Sequence, residues 1–290
     1  SRSAADVAGE QSRVAIVTGG SRGLGRAMAF ELARCGVRTV IAAHLGEDRD
    51  EVLEEAAAEG VAERLHFHQA DLRTSNGCDT TVAFARSLGG SIDVLVNNAG
   101  LTLTFVAPDL YRRTTPRRFY ESSDEVIRGI YETNCMATEM MAVRVAPAMV
   151  AQGWGRIINV TTMLPTMQRT GFCPYGASKA ALEMSSMVWA RELAGTGVTV
   201  NVLNPGGGAN TPGLALEMRE ASARGDIDRL VEPWQMRAPL RWLVSEEANA
   251  VSGMRVDANL WDSALDPQAA ARLAARRCGL QLLDPAPASD

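Results

Sequence analysis

A tyrosine and a lysine stand four positions apart in the segment CPYGASKAAL, as Tyr175 and Lys179. On a helix, positions i and i+4 share one face, with Cβ atoms about 5–6 Å apart. A free phenol has a pKa of about 10, which is too high for easy proton exchange at pH 7. A fixed ammonium nearby favours phenolate, and lowering the phenol pKa by ~3 units takes ~4 kcal/mol of differential interaction. The pair is therefore either a working proton donor or an ordinary solvated pair on a helical face.

Two adjacent threonines, Thr161 and Thr162, precede the tyrosine in the segment NVTTMLP. A threonine hydroxyl donates and accepts hydrogen bonds as a serine hydroxyl does. One of them could hold an oxygen on which charge develops during a reaction, since such an oxygen in a dry site needs a second donor. The alternative is that both residues simply satisfy strand propensity.

The elements that must position these residues follow an alternating pattern. Near-continuous apolar runs such as VAIV and DVLV indicate strands of a sheet that is covered on both faces. The segments between them show helical periodicity, and several end in glycine. Strand–helix alternation predicts a single α/β domain with a Rossmann-type, doubly wound parallel sheet and helices on both faces. The predicted strands are RVAIVTG, RTVIAAH, RLHFHQAD, IDVLVNNAG, GRIINVTT, VTVNVLNPG and VSGMRVDA.

The ends of the chain are predicted to lie outside this domain. Residues 1–12 lack an apolar signal core and are interpreted as a disordered leader. The Rossmann-fold domain is placed at residues 13–262, and residues 263–290 form a C-terminal extension with a helical segment, PQAAARLAARRCG. No composition break divides the chain further.

Composition excludes several function classes. The net charge of −5 predicts no non-specific attraction to nucleic acid or to an anionic membrane. No apolar run approaches the ~20 residues that a membrane helix needs. The five cysteines are scattered without a CxxC spacing, which is typical of reduced thiols in a cytoplasm. With three histidines, the sequence offers little material for a zinc site or a histidine triad, so no metal is expected.

A glycine-rich turn, TGGSRGLGRAMAFELA, follows the first predicted strand and opens a helix. Gly19, Gly23 and Gly25 stand where a chain turns sharply and lets a pyrophosphate approach the amides of a helix N-terminus. Glycines also make plain tight turns, but the position between a strand and a helix favours dinucleotide binding.

The spacing G-x-x-x-G-x-G resembles the glycine motif of the tyrosine-dependent short-chain dehydrogenase/reductase family. Other motifs of that family follow in order: ADL at 70–72, NNAG at 97–100, Asn134 in YETNCMAT, and the Tyr-x-x-x-Lys of PYGASKAA. The resemblance runs from about residue 13 to about residue 260. It is nearest in type to the 3-oxoacyl reductases and the sugar-acid dehydrogenases.

The resemblance implies hydride transfer between a nicotinamide cofactor and a carbonyl or secondary alcohol, with Tyr175 as general acid/base. It gives Thr162 the substrate oxygen, Lys179 the nicotinamide ribose, and Asn134 a water that relays protons to Lys179. Asp71 would face the adenine amine, and Thr211, in a loop that is one residue longer than usual, the carboxamide. The implied cofactor-binding residues are Gly19, Ser21, Arg22, Gly23, Leu24, Gly25, His44, Asp71, Leu72, Asn98, Ala99, Gly100, Tyr175, Lys179, Pro205, Gly206 and Thr211.

The choice of nicotinamide cofactor depends on charge at the end of the second strand. NAD is usually gripped there by an acidic residue, but Ala43 and His44 occupy this position. Arg22 can supply positive charge to a 2′-phosphate. These residues favour NADP over NAD, with the alternative that Arg22 only solvates the loop and Glu47 or Asp48 binds the ribose.

The long connection at residues 101–122 carries four arginines, Arg112, Arg113, Arg117 and Arg118. Long loops in compact domains are often lids or binding loops. The arginines could grip an anionic substrate, or they could form a solvated loop or a subunit contact. A second set of residues could line an apolar substrate pocket or fill the core: Met163, Leu164, Met167, Leu214 and Met218.

The expected partner is a small carbonyl or alcohol substrate, and the family resemblance implies a homodimer or homotetramer. The competing function is a non-catalytic NADP(H)-binding sensor on the same fold. Such a sensor would be expected to lose the tyrosine or the lysine, and both are present. A dehydratase or epimerase of the extended branch is disfavoured by the glycine spacing and the short C-terminal portion.

Overall fold

Eight strands form one sheet in the computed structural model, which describes residues 13–279. They are β1 (Val14–Thr18), β2 (Arg38–Ala43), β3 (Leu65–Gln69), β4 (Val94–Asn97), β5 (Gly155–Val160), β6 (Val198–Asn204), β7 (Met254–Asp257) and β8 (Ala275–Arg277). Their order across the sheet is β3-β2-β1-β4-β5-β6-β7-β8. All neighbouring pairs are parallel except the antiparallel pair β7–β8. The predicted doubly wound α/β fold is confirmed, and each of the strands β1–β7 lies within one of the seven predicted runs.

The strand order reverses between β1 and β4. Strand β1 pairs with β2 on one side and with β4 on the other, so the chain winds outward from β1 in both directions. In open sheets of this kind, ligands bind outside the carboxyl ends of the strands at this switch point.

Helices cover both faces of the sheet. The α-helices are α1 (Gly23–Arg34), α2 (Arg49–Ala58), α3 (Ser75–Gly89), α4 (Leu103–Val106), α5 (Asp124–Tyr131), α6 (Ala137–Gln152), α7 (Leu164–Gln168), α8 (Tyr175–Glu192), α9 (Leu216–Arg224), α10 (Arg237–Leu243) and α11 (Pro267–Ala274). One apolar core joins the sheet to α1, α2, α10 and α11, and a second core joins it to α3, α6 and α8.

Local sequence sets where several helices begin. The hydroxyls of Thr74 and Ser123 accept hydrogen bonds from backbone amides in the first turns of α3 and α5, and the Asp266 carboxylate does the same for α11. A π-helical turn, Glu132–Met136, joins α5 to α6 and contains Asn134. Such turns occur frequently at functional sites.

The first part of the predicted C-terminal extension is continuous with the sheet. Helix α11 packs into the first core, and β8 pairs with β7 at the edge. The sequence ARR of β8 has no apolar alternation, which explains why it was not predicted as a strand. The predicted leader and residues 280–290 lie outside the described residues. Within residues 13–279, no helix combines the length and the apolar character needed to cross a membrane.

Candidate active site

A cleft of about 690 Å³ opens at the carboxyl ends of the strands, on both sides of the switch point. Sixteen of the predicted site residues line it: Gly19, Ser21, Arg22, Gly23, Leu24, His44, Asp71, Leu72, Asn98, Ala99, Gly100, Thr162, Tyr175, Lys179, Pro205 and Thr211. Gly25, Asn134 and Gly206 do not line the cleft, although they were predicted to belong to the site.

The glycine turn between β1 and α1 leaves room that side chains would fill. Gly19 has a φ of +62°, in the left-handed region that favours glycine. A Cβ at Gly25 would lie 2.3 Å from the Gly19 carbonyl oxygen, so Gly25 allows the close packing of turn and helix from behind the cleft. The N-cap residue, Arg22, provides no side-chain cap to α1. The first amides of this twelve-residue helix thus remain available to an anion, and the turn fits a pyrophosphate.

The NNAG turn is tied to the end of β1. The backbone amides of Asn98 and Ala99 each donate to the Thr18 hydroxyl at 3.0 Å. The Asn98 side-chain amide donates to the carbonyls of Thr18 and Gly19, also at 3.0 Å. These bonds hold the two turns that face the cleft in a fixed relation to each other.

Charged side chains gather at the β2–β3 side of the cleft. Arg73 forms a two-pronged contact with the Asp71 carboxylate, with nitrogen–oxygen distances of 2.9 and 2.7 Å, and holds the pKa of Asp71 at about 2. His44 Nδ1 lies 4.0 Å from the same carboxylate. Asp48 lines the cleft and accepts a hydrogen bond of 3.0 Å from the Ser21 hydroxyl, whereas Glu47 does not line it.

Tyr175 begins helix α8, and Lys179 lies one turn further along it, so both side chains reach the cleft. Burial raises the pKa of Tyr175 to about 12, and a hydrogen bond with Thr162 acts in the opposite direction. Burial is the largest influence on this phenol, and its direction is opposite to the lowering expected from a neighbouring ammonium. Burial also lowers the pKa of Lys179 to about 8, and its Nζ donates to the Val160 carbonyl at 2.9 Å.

The two threonines at the end of β5 have different partners. The Thr162 hydroxyl lies close enough to the Tyr175 phenol to lower its pKa, although burial has the larger and opposite effect. The Thr161 hydroxyl instead donates to Glu183 Oε2 at 3.1 Å. Thr162 is thus the threonine whose hydroxyl lies beside the phenol oxygen.

A buried ion-pair network lies behind these threonines. Arg255 Nη1 of β7 lies 2.7 Å from Glu183 Oε2 of α8, and both side chains are almost fully buried. Arg255 also donates to the backbone carbonyl of Thr162. Asp257 lies 3.4 Å from Arg255 and pairs with Arg276 of β8. Strands β7 and β8 are in this way connected to the residue that contacts the phenol.

Asn134 is fully buried within the π-helical turn. Its side-chain oxygen accepts from the Leu101 amide at 2.8 Å, and its side-chain nitrogen donates to the Leu101 carbonyl and to the Ser178 hydroxyl. The side chain therefore fixes the segment after NNAG against helix α8. The water relay expected for Asn134 remains a prediction.

The apolar part of the cleft, which we call the loop pocket, lies between segments 101–111, 163–172 and 207–218. Met163, Leu214 and Met218 line it as predicted. Leu164 and Met167 do not line it; Met167, within helix α7, is buried, in agreement with the alternative that it fills the core. Gly206 faces away from the cleft, since a Cβ there would clash with the Asn259 side chain.

The four arginines of segment 101–122 do not form an anion site in the cleft. None of them lines it. Arg112 forms an ion pair with Glu217, and Arg113 forms ion pairs with Asp109 and Glu121. Arg117 is 3% exposed and donates to the Cys173 carbonyl at 2.9 Å, so it fixes the loop against the segment before Tyr175. The guanidinium groups of Arg112, Arg113 and Arg117 thus contact other parts of the protein surface and loop packing rather than the cleft.

Among the cleft residues that sequence reasoning missed are three with titratable side chains, Arg73, Tyr111 and Arg169. Each stands in a polar loop or turn, where nothing in the sequence pattern distinguishes it from a solvated residue. It also missed that Lys179 is the only lysine in the chain, in which the other 28 of 29 basic residues are arginines. This imbalance is a usable signal, because arginine cannot replace a lysine that must fit one small buried position.

Comparisons with known proteins agree with this geometry. Residues 13–220 match the family model described as short chain dehydrogenase. The chain is 30% identical over 252 residues to the 3-oxoacyl-[acyl-carrier-protein] reductase FabG of Staphylococcus epidermidis, covering 86% of this chain and 98% of that protein. It is 31% identical over 253 residues to the acetoacetyl-CoA reductase of Cupriavidus necator, covering 83% and 94%. A crystal structure of F189W actinorhodin polyketide ketoreductase with NADPH superposes with a TM-score of 0.71 at 29% identity, covering 84% of this chain and 94% of that one.

Proposed function

The chain belongs to the short-chain dehydrogenases, oxidoreductases that act on C=O and CH–OH groups, and from this premise we propose that it is an NADP(H)-dependent carbonyl reductase. The observation that carries the proposal is the meeting of three side chains at one point of the cleft. Tyr175 and Lys179 line it from the same helix, and Thr162, which follows β5, lines it beside the phenol. The non-catalytic alternative has no support in these residues.

A nicotinamide cofactor, when bound, supplies or accepts the hydride. The chain's own residues manage the proton and the oxygen. With its pKa raised to about 12, Tyr175 is protonated at neutral pH and can donate its proton to a carbonyl oxygen. Thr162 supplies a second hydrogen-bond donor to the same oxygen as negative charge develops on it. Lys179, as ammonium, stabilises the phenolate that Tyr175 becomes.

NADP is proposed over NAD because of the charges on the β2–β3 side of the cleft. Arg22 is exposed and lines the cleft, and it makes no ion pair with any residue between 13 and 279. Asp48 opposes this preference, but its carboxylate is engaged by Ser21. We expect a higher kcat/KM with NADPH than with NADH. Arg22→Glu should weaken NADPH use far more than NADH use, and a wild-type preference for NADH would overturn the assignment.

A homo-oligomer is proposed from an exposed apolar surface. Exposed apolar residues repeat every seven positions from Met136, the last residue of the π-helical turn, to Val143 and Val150 of α6. Met184 and Val188 stand one turn apart on α8. A hydrogen bond of 2.9 Å between Ser185 and Glu139 places the two helices side by side. A contiguous exposed apolar surface of this kind indicates a protein contact. A cytoplasmic location is proposed because Cys78, Cys135, Cys173 and Cys278 form no disulfide.

The experiment is a screen for NADPH oxidation with ketones, β-ketoacyl thioesters, keto sugars and imines. Tyr175→Phe keeps the ring and removes the proton, so it should retain NADPH binding and lose at least ~100-fold in kcat. Activity of this variant within a few fold of wild type would remove Tyr175 from its role. Absence of turnover with every carbonyl, and with every alcohol and NADP⁺, would favour the sensor function.

A further inference from the structure

Arg169 is a cation in the loop pocket without an acidic partner. It is exposed and lines the cleft just beyond the end of α7. No ion pair joins it to a residue in the described part of the chain, residues 13–279. Arg112 and Arg113, by contrast, are paired with carboxylates nearby, and Arg117 is buried in the loop packing.

The guanidinium of Arg169 is held in place by an aromatic ring. Its central carbon lies 5.0 Å from the centre of the Phe172 ring, which also lines the cleft. Stacking of this kind orients the planar guanidinium and leaves its N–H groups free to donate. Burial raises the pKa of Tyr111, and the charge of the nearby Arg169 lowers it. Tyr111 in turn adds to the rise that burial causes in the pKa of Tyr175. The three residues therefore share one part of the cleft.

The remaining walls of the loop pocket make this charge stand out. Apart from Arg169, they carry apolar side chains, the Tyr111 phenol, and the hydroxyls of Thr102, Thr104, Thr166 and Thr211. The two carboxylates that line the cleft, Asp48 and Asp71, both lie at its β2–β3 side. A single positive charge between apolar walls attracts anions and discriminates against cations. Guanidinium suits carboxylate and phosphate oxygens, which it can bind with two hydrogen bonds.

We propose that Arg169 binds an anionic group, a carboxylate or a phosphate, on a carbonyl substrate whose apolar body packs against Met163, Leu214 and Met218. This inference rests on the proposed carbonyl reduction and adds the substrate class to it. It moves the anion recognition from segment 101–122 to a residue that reaches the cleft.

The experiment compares matched pairs of substrates in wild type and Arg169→Gln. The carboxylate pair is 3-oxooctanoate and its methyl ester, and the phosphate pair is 3-oxooctanoyl 4′-phosphopantetheine and 3-oxooctanoyl pantetheine. For at least one pair, Arg169→Gln should raise the KM of the anionic member by about tenfold and leave its kcat and the neutral member within about twofold, as expected for a lost charge-assisted hydrogen bond. Arg118→Gln is the matched control, since Arg118 is exposed but does not line the cleft.

Direct binding of the same four compounds, measured by calorimetry in the presence of NADP⁺, separates this inference from the proposed function. If no compound turns over but the anionic members bind more weakly to Arg169→Gln than to wild type, the reductase function fails and the anion site stands. The anion site is overturned if the variant binds the anionic and neutral members of both pairs as wild type does, or weakens both members of a pair equally.

Discussion

Thr161 and Thr162 are neighbours with the same chemistry and opposite surroundings. Thr162 contacts the phenol of Tyr175, whereas Thr161 contacts the buried Glu183 carboxylate. The sequence alone left open whether either threonine has a role, and the resemblance to a family pointed to Thr162. The structure supports this choice through the hydrogen-bond partner of each hydroxyl.

Replacing each threonine by valine should separate the two roles. Thr162→Val keeps the shape and removes one donor to the substrate oxygen, so kcat should fall by ~10²–10³. Thr161→Val leaves Glu183 with one donor fewer and should lower the free energy of unfolding by about 1–3 kcal/mol, with kcat changed only a few fold. Steady-state kinetics and denaturant unfolding of both variants are the measurements. A Thr161→Val protein that is folded but inactive would reverse the assignment.

Burial disfavours the ammonium form of Lys179, which is the form required by its proposed role. Its pKa falls from 10.5 to about 8 through burial, which at about 1.4 kcal/mol per unit corresponds to a cost of up to ~3 kcal/mol at pH 7. Lys179→Met should therefore abolish activity and raise the free energy of unfolding at pH 7. Between pH 8 and 10.5 the unfolded chain binds more protons than the folded one at this site, so wild-type stability rises with pH and the difference should close.

The pKa of Lys179 can be read directly, because no other lysine contributes a signal. Reductive methylation with ¹³C-formaldehyde would label this side chain and the α-amino group, which has a pKa of about 7.7–8.0. The Lys179→Met control identifies the lysine signal, because only the α-amino signal remains in that variant. A titration midpoint near 10.5 in the folded protein would contradict the burial argument.

At the scale of elements, the ion pair between Arg255 and Glu183 joins strand β7 to helix α8. Arg255 also donates a hydrogen bond to the Thr162 carbonyl. Glu183→Gln removes the nearer of the two carboxylates that pair with the buried Arg255 and should destabilise the protein by about 3–5 kcal/mol. Replacing both partners, as Glu183→Leu with Arg255→Met, should recover most of the stability. If Arg255 positions Thr162, kcat of the double variant should stay reduced, by about tenfold or more, with KM little changed.

Chemical denaturation and kinetics of the single and double variants test this together. Full recovery of kcat along with stability in the double variant would show that Arg255 has only a structural role.

Elements and motifs with local signals were predictable from the sequence. The apolar runs predicted seven strands, and the glycine turn, the NNAG turn and the Tyr-x-x-x-Lys spacing identified the part of the cleft around the switch point. Contacts between distant segments were not predictable. Arg255 and Asp257 are two positions apart in a short strand and therefore lie on the same face. No local pattern, however, reveals that Glu183 lies close to Arg255. The depth of burial around Tyr175, which reverses the expected direction of its pKa shift, is likewise a property of the folded chain.

At the scale of the whole molecule, the exposed apolar surface of α6 and α8 is the feature that predicts assembly. Val143 is 64% exposed and Val188 is 43% exposed. We expect a dimer or tetramer by size-exclusion chromatography with light scattering. Val143→Glu with Val188→Glu should lower the measured mass, because buried charges oppose association. Leu273→Glu, at a position 61% exposed on α11, is the control and should not change the mass. A monomeric wild type would refute the oligomer proposal.

The ion pairs that run from β8 through β7 to Thr162 bear on the order in which the protein is made. Thr162 and Tyr175 leave the ribosome about a hundred residues before Arg255, Asp257 and Arg276, which complete the network behind them. Because domains generally fold as units, the early strands cannot complete the site before the rest of the sheet has been synthesised. The threonine beside the phenol gains its support only when residues 254–277 have been translated and added to the sheet edge. A partly synthesised chain would thus hold both residues and still lack the contacts that position them.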